Sequence, residues 1–168
     1  MAAKEINFVL SVKSVEKAIK ELEEYRETLK NKTIELLNRL AELGYQIAES
    51  GKYGEGDTDE SNIYPEIGQV EYIGDNVRVP LLLNGEGVAF IEFGAGVYYN
   101  GAVGTSPNPN GAELGYVIGS YGLGNGAREY WFHDGGIISF GTEAAMPLYK
   151  AQREIVAQAG RIAKEVFG

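Results

Sequence analysis

The stretch that decides the fold is Val15 to Ser50, VEKAIKELEEYRETLKNKTIELLNRLAELGYQIAES. Val15, Ile19, Leu22, Leu29, Leu36, Leu40, Leu43 and Ile47 fall on one stripe with spacings of three and four. Lys17, Lys20, Glu23, Glu24, Glu27, Lys30, Lys32, Glu35 and Glu42 occupy the other faces. That pattern predicts an amphipathic helix roughly 50 Å long. Arg26 and Thr33 stand on the stripe and weaken its middle. Ser14 is the expected N-cap, with Glu16 in the first turn to favour the dipole. Gly51 suits the C′ position that ends a helix, and Gly44 is expected to loosen its last turns.

Outward from this helix the character changes twice. On the N-terminal side, Ile6 to Val12 reads as a strand or extended arm, interrupted by Asn7 and Ser11. On the C-terminal side, Lys52 to Pro65 is polar and acidic and reads as an exposed loop. Gln69–Ile73 and Val77–Leu83 then flank Gly74-Asp75-Asn76, a tight-turn sequence. Asn84-Gly85-Glu86-Gly87 is a second turn, and Val88–Phe93 reads as a third strand of an antiparallel meander. Pro80 cannot donate to a ladder, so an edge or a bulge is expected there.

From Gly94 to Ala127 glycines recur among Asn, Ser, Pro and Tyr, which reads as a long loop or insertion. Glu129–His133 and Ile137–Phe140 flank Asp134-Gly135-Gly136, a hairpin signature. Pro147 suits the first turn of a closing helix whose apolar face is Leu148, Ala151, Ile155, Ala159, Ile162 and Val166. The expected fold is therefore α+β: a long N-terminal helix and a C-terminal helix packed on an antiparallel β-sheet, with a long Gly-rich loop. The 168 residues fit one domain.

Composition limits the chemistry. The chain has no cysteine and one histidine, His133, so thiolate chemistry, disulfides and a histidine-rich metal site within one chain are excluded. A net charge of −9 argues against gripping nucleic acid or an anionic membrane surface. It suits a surface past which DNA slides without sticking. The apolar run Ile6 to Leu10 is too short for a signal peptide core, and no stretch approaches a membrane span. Synthesis and use in a cytoplasm are expected.

Individual motifs fall short of a catalytic constellation. Gly122-Leu123-Gly124-Asn125-Gly126 lacks the strand–loop–helix context and the Lys-Ser/Thr of a phosphate loop. Ile118-Gly119-Ser120-Tyr121-Gly122 lacks the first glycine of a nucleophile elbow. Asp57 to Gly68 starts like a calcium loop, but its sixth and twelfth positions are Asn62 and Gly68. Glu92 is the residue that stands out, a carboxylate between Phe90-Ile91 and Phe93-Gly94. It can be a catalytic acid with a raised pKa, which needs a second placed carboxylate such as Glu113 or Asp134. It can instead be the polar side of an alternating strand. Its third reading is a group that caps backbone or pairs with an Arg at a subunit contact. The second and third readings together are favoured.

Phe90-Ile91-Glu92-Phe93-Gly94-Ala95-Gly96, after a long amphipathic helix and a polar loop, resembles the F-[VI]-E-F-G-T-G signature of phage neck and tail-completion proteins. This family includes gene-product-10-like minor tail and head-tail joining proteins. Gly141-Thr142-Glu143-Ala144-Ala145-Met146-Pro147-Leu148-Tyr149-Lys150-Ala151 resembles the family's closing motif, and Gly115 to Gly124 its glycine-rich insertion. Ala95 departs from the usual Thr.

The resemblance implies a structural subunit of a tailed-phage or tail-like particle, present in the host bacterial cytoplasm during assembly and then in the particle. It implies self-association as a ring, sixfold by the symmetry of tails, with a lumen that DNA can traverse. The implied partners are connector or stopper proteins, a tail terminator and tail tube proteins. No catalytic, cofactor-binding or metal-binding residue is expected. The assembly-interface candidates are Glu92, Phe93, Tyr98, Tyr99, Tyr116, Tyr121 and Trp131. Within the same class, the chain can instead be the tail terminator of a contractile or DNA-free particle. From another class, its Tyr and Trp content suits a small carbohydrate-binding or carbohydrate-active domain.

Overall fold

The structure is a computed structural model, and it describes residues 11–51, 63–74, 76–96, 108–111, 113–114, 131–132, 138–139, 141–142 and 144–168. The chain begins with helix α1, Val12–Glu49, whose 38 residues span about 57 Å. Its cap is Ser11 and not Ser14: Ser11 is extended, and its side chain accepts from the Ser14 amide at 3.3 Å. Val12 therefore opens the helix and does not close an arm; residues 6–10 lie outside the described residues. Gly51 follows the C-cap Ser50 as expected, donating to the Ala48 carbonyl. Thr33, a polar group on the apolar stripe, is satisfied inside the helix by donating to the Leu29 carbonyl at 2.8 Å.

Strand β1, Tyr64–Ile67, contains Pro65, so part of the expected loop is an edge strand. It pairs antiparallel with β4, Leu81–Asn84, with Tyr64 opposite Asn84 and Ile67 opposite Leu81. Between them, β2 (Glu71–Ile73) and β3 (Asn76–Arg78) form a hairpin whose turn contains Gly74 at φ +59°. The predicted strand Val77–Leu83 is thus broken at Val79-Pro80, because Pro80 has no N–H to donate. Gly68 donates to the Pro80 carbonyl at 2.8 Å, and a Cβ at Gly68 would lie 2.6 Å from Pro80 Cγ. Only glycine fits that crossing.

The third strand of the meander is instead helix α2, Val88–Phe93. Six residues, five of them apolar, are too few for periodicity to separate a strand from a helical turn and a half. The glycines on either side, Gly87 and Gly94, both at φ +75°, break any extended continuation. Beyond α2, β5 (Ala95–Gly96) pairs with β8 (Gly141–Thr142). The expected second hairpin is present as β6 (Trp131–Phe132) against β7 (Ile138–Ser139). Helix α3, Pro147–Phe167, closes the chain with Pro at its first position. The fold is α+β, and its antiparallel pairing among the described residues is four two-stranded ladders.

The axis of the domain is the antiparallel pair of α1 and α3. Gly51 lies beside Pro147, Gly44 beside Ile155, and Arg39 bonds Glu165 near the other end. The deepest face of α1 is made of small residues, Ala41, Gly44 and Ala48, facing a helix that buries Ala151, Ile162 and Val166. A Cβ on Gly44 would meet Ile155 Cδ1 at 2.7 Å and Leu81 Cδ2 at 2.8 Å. Gly44 therefore does not loosen the helix end; it lets α3 and β4 close on it. A separate cluster, Ile63, Ile91 and Ala145 with Leu83 and Val88, packs α2 against the end of the sheet.

The predicted stripe is only partly core. Leu29, Leu36, Leu40, Leu43 and Ile47 are half-buried, whereas Val15, Ile19 and Leu22 are exposed at 37, 51 and 54 %. In thermal melts, Leu40→Ala is expected to cost about 1–3 kcal/mol and Leu22→Ala less than about 0.5 kcal/mol. Gly44→Ala is expected to stay within about 1 kcal/mol of the parent, since the gain in helix propensity offsets a displacement of two flexible methyl ends. Gly44→Leu, which fills the helix–helix contact, is expected to cost about 1–3 kcal/mol.

Candidate functional site

Helix α3 starts with a difficulty written in its sequence. Ala144-Ala145-Met146-Pro147 offers no Ser, Thr, Asp or Asn to cap it. Met146, the N-cap residue, sits in the left-handed region at φ 55°, ψ 48° and provides no side-chain bond. Pro147 has no N–H. The next two amides are bonded by Glu92: Leu148 N donates to Oε2 at 2.9 Å and Tyr149 N to Oε1 at 2.9 Å. Lys150 N then makes the first intrahelical bond, to the Met146 carbonyl. Every orphan donor at this helix end is accounted for.

The same short helix holds the chain leading into α3. The Ile91 carbonyl accepts from Ala145 N at 2.8 Å and from Met146 N at 3.3 Å. The left-handed turn at Met146 lets two successive amides converge on that carbonyl before Pro147 sets the helical direction. Ile91 and Pro147 are the largest fully buried side chains among the described residues. Immediately outside, β5 pairs with β8, so residues 88–96 and 141–149 are joined through backbone, side chain and packing.

A third segment is held by the same carboxylate. Asn108, only 2 % exposed, donates from Nδ2 to Glu92 Oε1 at 2.8 Å. Its Oδ1 accepts from Asn110 N at 3.0 Å, and its carbonyl from Gly111 N at 2.9 Å. The Asn108-Pro109-Asn110-Gly111 stretch is thus a turn fastened to the domain, within a segment expected to be long and irregular.

Glu92 itself is 6 % exposed. Burial pushes its carboxyl above the usual carboxylate range, while the bonds from Leu148, Tyr149 and Asn108 and the charge of Lys150 oppose that shift. Beside it lies an open cleft of about 330 Å³, lined mainly by Leu81, Phe93, Leu114, Tyr149 and Ile155. Both carboxylate oxygens are engaged by protein donors, so Glu92 is held as an acceptor, with its charge set against the start of a helix. Of its three sequence readings, the capping of backbone is the one found, within the chain itself; strand alternation fails because residues 88–93 are helical.

Of the other interface candidates, Phe93 is half-buried and lines the cleft. Trp131 lies in β6 opposite Ser139. Tyr98, Tyr99, Tyr116 and Tyr121 lie outside the described residues, as do His133, Asp134 and the Gly122–Gly126 run. Glu113 is exposed. Asn108 was not singled out by its sequence. The signal in the sequence that could have pointed to a borrowed cap is the absence of Ser, Thr, Asp or Asn before Pro147. Among the described residues, no group of three His, Cys, Asp or Glu side chains is placed to hold a metal ion, and no helix is long and apolar enough to cross a membrane.

No family model, no curated protein and no solved structure matches this chain.

Two outcomes follow from the buried carboxylate. Because its pKa is raised on folding, Glu92 contributes stability below the unfolded carboxylate value, and this is lost as pH rises through the folded value. Glu92→Gln is expected to flatten that segment of the stability–pH curve, read from melts between about pH 4 and 7. Asn108→Asp places a second carboxylate against the first. It is expected to destabilise at neutral pH by roughly 1–3 kcal/mol and to recover in mild acid. Equal loss at both pH values would mean that the two side chains are not in contact.

Proposed function

We propose that this chain is a non-catalytic structural subunit of a ring at the neck or tail end of a tailed phage or phage-tail-like particle. The observation that carries the reading is the joining of residues 90–96 with residues 141–151. These are the two segments that resemble the neck and tail-completion family, and Glu92, Ile91 and the β5–β8 pairing tie them into one unit. In this reading the motifs are architectural: they fix the entry of α3 and the root of the glycine-rich segment.

The alternative of a carbohydrate-active domain needs a carboxylate free to exchange protons with a substrate. Glu92, the best placed for such work, has both oxygens on protein donors. The partners in this proposal are further copies of the chain, a connector or stopper protein on one side and a tail terminator or tail tube on the other. The net charge of −9 fits a lumen wall that does not retain DNA.

Electron microscopy of the purified chain, and of the parent particle carrying a tagged copy, tests the proposal. Closed rings, and a tag located at the neck or tail end, are the expected images. A monomer that binds glycans, or a hydrolase activity lost specifically in Glu92→Gln with the fold intact, would overturn it.

A further inference from the structure

Among the described residues, helix α1 extends past the end of α3, with Ala18 on one flank of the extension buried at 8 % exposure. Phe167, in the last turn of α3, stands against Lys32, with Lys32 Nζ 6.0 Å from its ring centroid. The five turns of α1 before Leu29 run on past the end of α3. They keep the apolar stripe, exposed: Val12 at 76 %, Val15 at 37 %, Ile19 at 51 % and Leu22 at 54 %.

The spacing of this stripe is that of a supercoil. Val15, Leu22, Leu29, Leu36 and Leu43 recur every seven residues, and so do Val12, Ile19, Arg26, Thr33, Leu40 and Ile47 three places before them. A seven-residue repeat held over this length keeps a narrow seam facing another helix of the same period. In the C-terminal half of α1 the deepest face is a different one, that of Ala41, Gly44 and Ala48. The seam's C-terminal half is partly covered within the chain, whereas Val12, Val15, Ile19 and Leu22 are exposed and not explained by that packing.

We propose that these first five turns of α1 are a surface through which copies of this chain associate, their Val12-to-Leu22 seams packed parallel and in register. A second copy supplies an identical seam with the same period. β-branched residues at Val12 and Ile19, with leucine at Leu22 and Leu29, are the choice of parallel seams. Charge selects the same orientation. In parallel packing Glu16 faces Ser11 of the neighbouring copy; antiparallel packing sets Glu16 against Glu23. Arg26 on the stripe ends the apolar part. A cyclic assembly whose axis runs along these helices places them parallel and in register, whatever its subunit number. The inference rests on the ring reading only in needing more than one copy.

The absence of cysteine makes the test clean. Full-length Ile19→Cys, on the seam, and Glu24→Cys, on the opposite face, are treated with a short bis-maleimide and run on denaturing gels. Several-fold more covalent oligomer is expected from Ile19→Cys. In sedimentation, Ile19→Asp combined with Leu22→Asp is expected to shift the protein to smaller species while its circular-dichroism spectrum keeps the parent's helix content, because both side chains are exposed in the single chain. Seam cross-links in a protein that sediments only as a dimer would support the seam and sink the ring. Rings without preferential cross-linking at Ile19→Cys would sink the seam and leave the ring. A monomer with no cross-linking would remove both.

Discussion

The interaction on which the rest of this structure depends is the closing of α3's N-terminus by a side chain from elsewhere. A helix end buried with free amides is costly, and the residues before Pro147 cannot satisfy it themselves. Glu92 does so from α2, 55 residues upstream of Pro147 in the chain. For its two oxygens to reach Leu148 and Tyr149, α2 must present the Ile91 carbonyl to Ala145 and Met146. That contact fixes the left-handed turn at Met146 and the direction in which α3 leaves. The position of α3 in turn sets its alignment with α1, from Gly51 beside Pro147 to Arg39 on Glu165. A local shortage of caps is thus solved by a long-range bond that orders most of the domain.

Helix α1 has two halves with different obligations. From about Leu29 onward it is a wall of the domain, and its small residues set how near α3 and β4 come. Gly44 is the extreme case, with methyl ends of Ile155 and Leu81 filling the space its own side chain would take. Before Leu29 the same helix continues beyond α3, still amphipathic. Helix propensity and i,i+4 pairs such as Lys17–Glu21 and Lys20–Glu24 support it there, but exposed pairs of this kind contribute little. A long exposed apolar stripe is not needed to hold a helix already nucleated by its C-terminal half. The stripe's extension is thus a property of the surface and not of the core.

The large elements were legible because they are long or carry strong punctuation. Both long helices follow from their periodicity, and Gly74, Pro147 and Gly51 mark a turn, a start and a stop where the chain uses them. The failures have a common physical origin. Val88–Phe93 has apolar, β-favouring composition, but a six-residue run takes its conformation from what it must reach, and Glu92 must reach α3. Pro65 and Pro80 read as interruptions; one sits in an edge strand and the other divides two strands. The extent of burial along α1 was not legible either, since an amphipathic stripe looks the same whether its partner is in the same chain or in another. Of the candidate site, Glu92 stood out as an anomaly and its partners did not, because backbone amides leave no mark in a sequence.

The choice of a carboxylate at this position follows from the chemistry of its surroundings. The three groups directed at Glu92 are all donors: Leu148 N, Tyr149 N and the Asn108 amide. An ionised carboxylate is acceptor-only and meets all three without presenting a hydrogen of its own. A glutamine of the same length would bring an NH₂ group and oppose at least one of them. Protonated glutamic acid has a similar conflict at one oxygen, which is why the three bonds lower the pKa while burial raises it. Burial acts against the charged form, and the converging donors and the charge of Lys150 act for it. The carboxylate is there because three donors converge on its two oxygens.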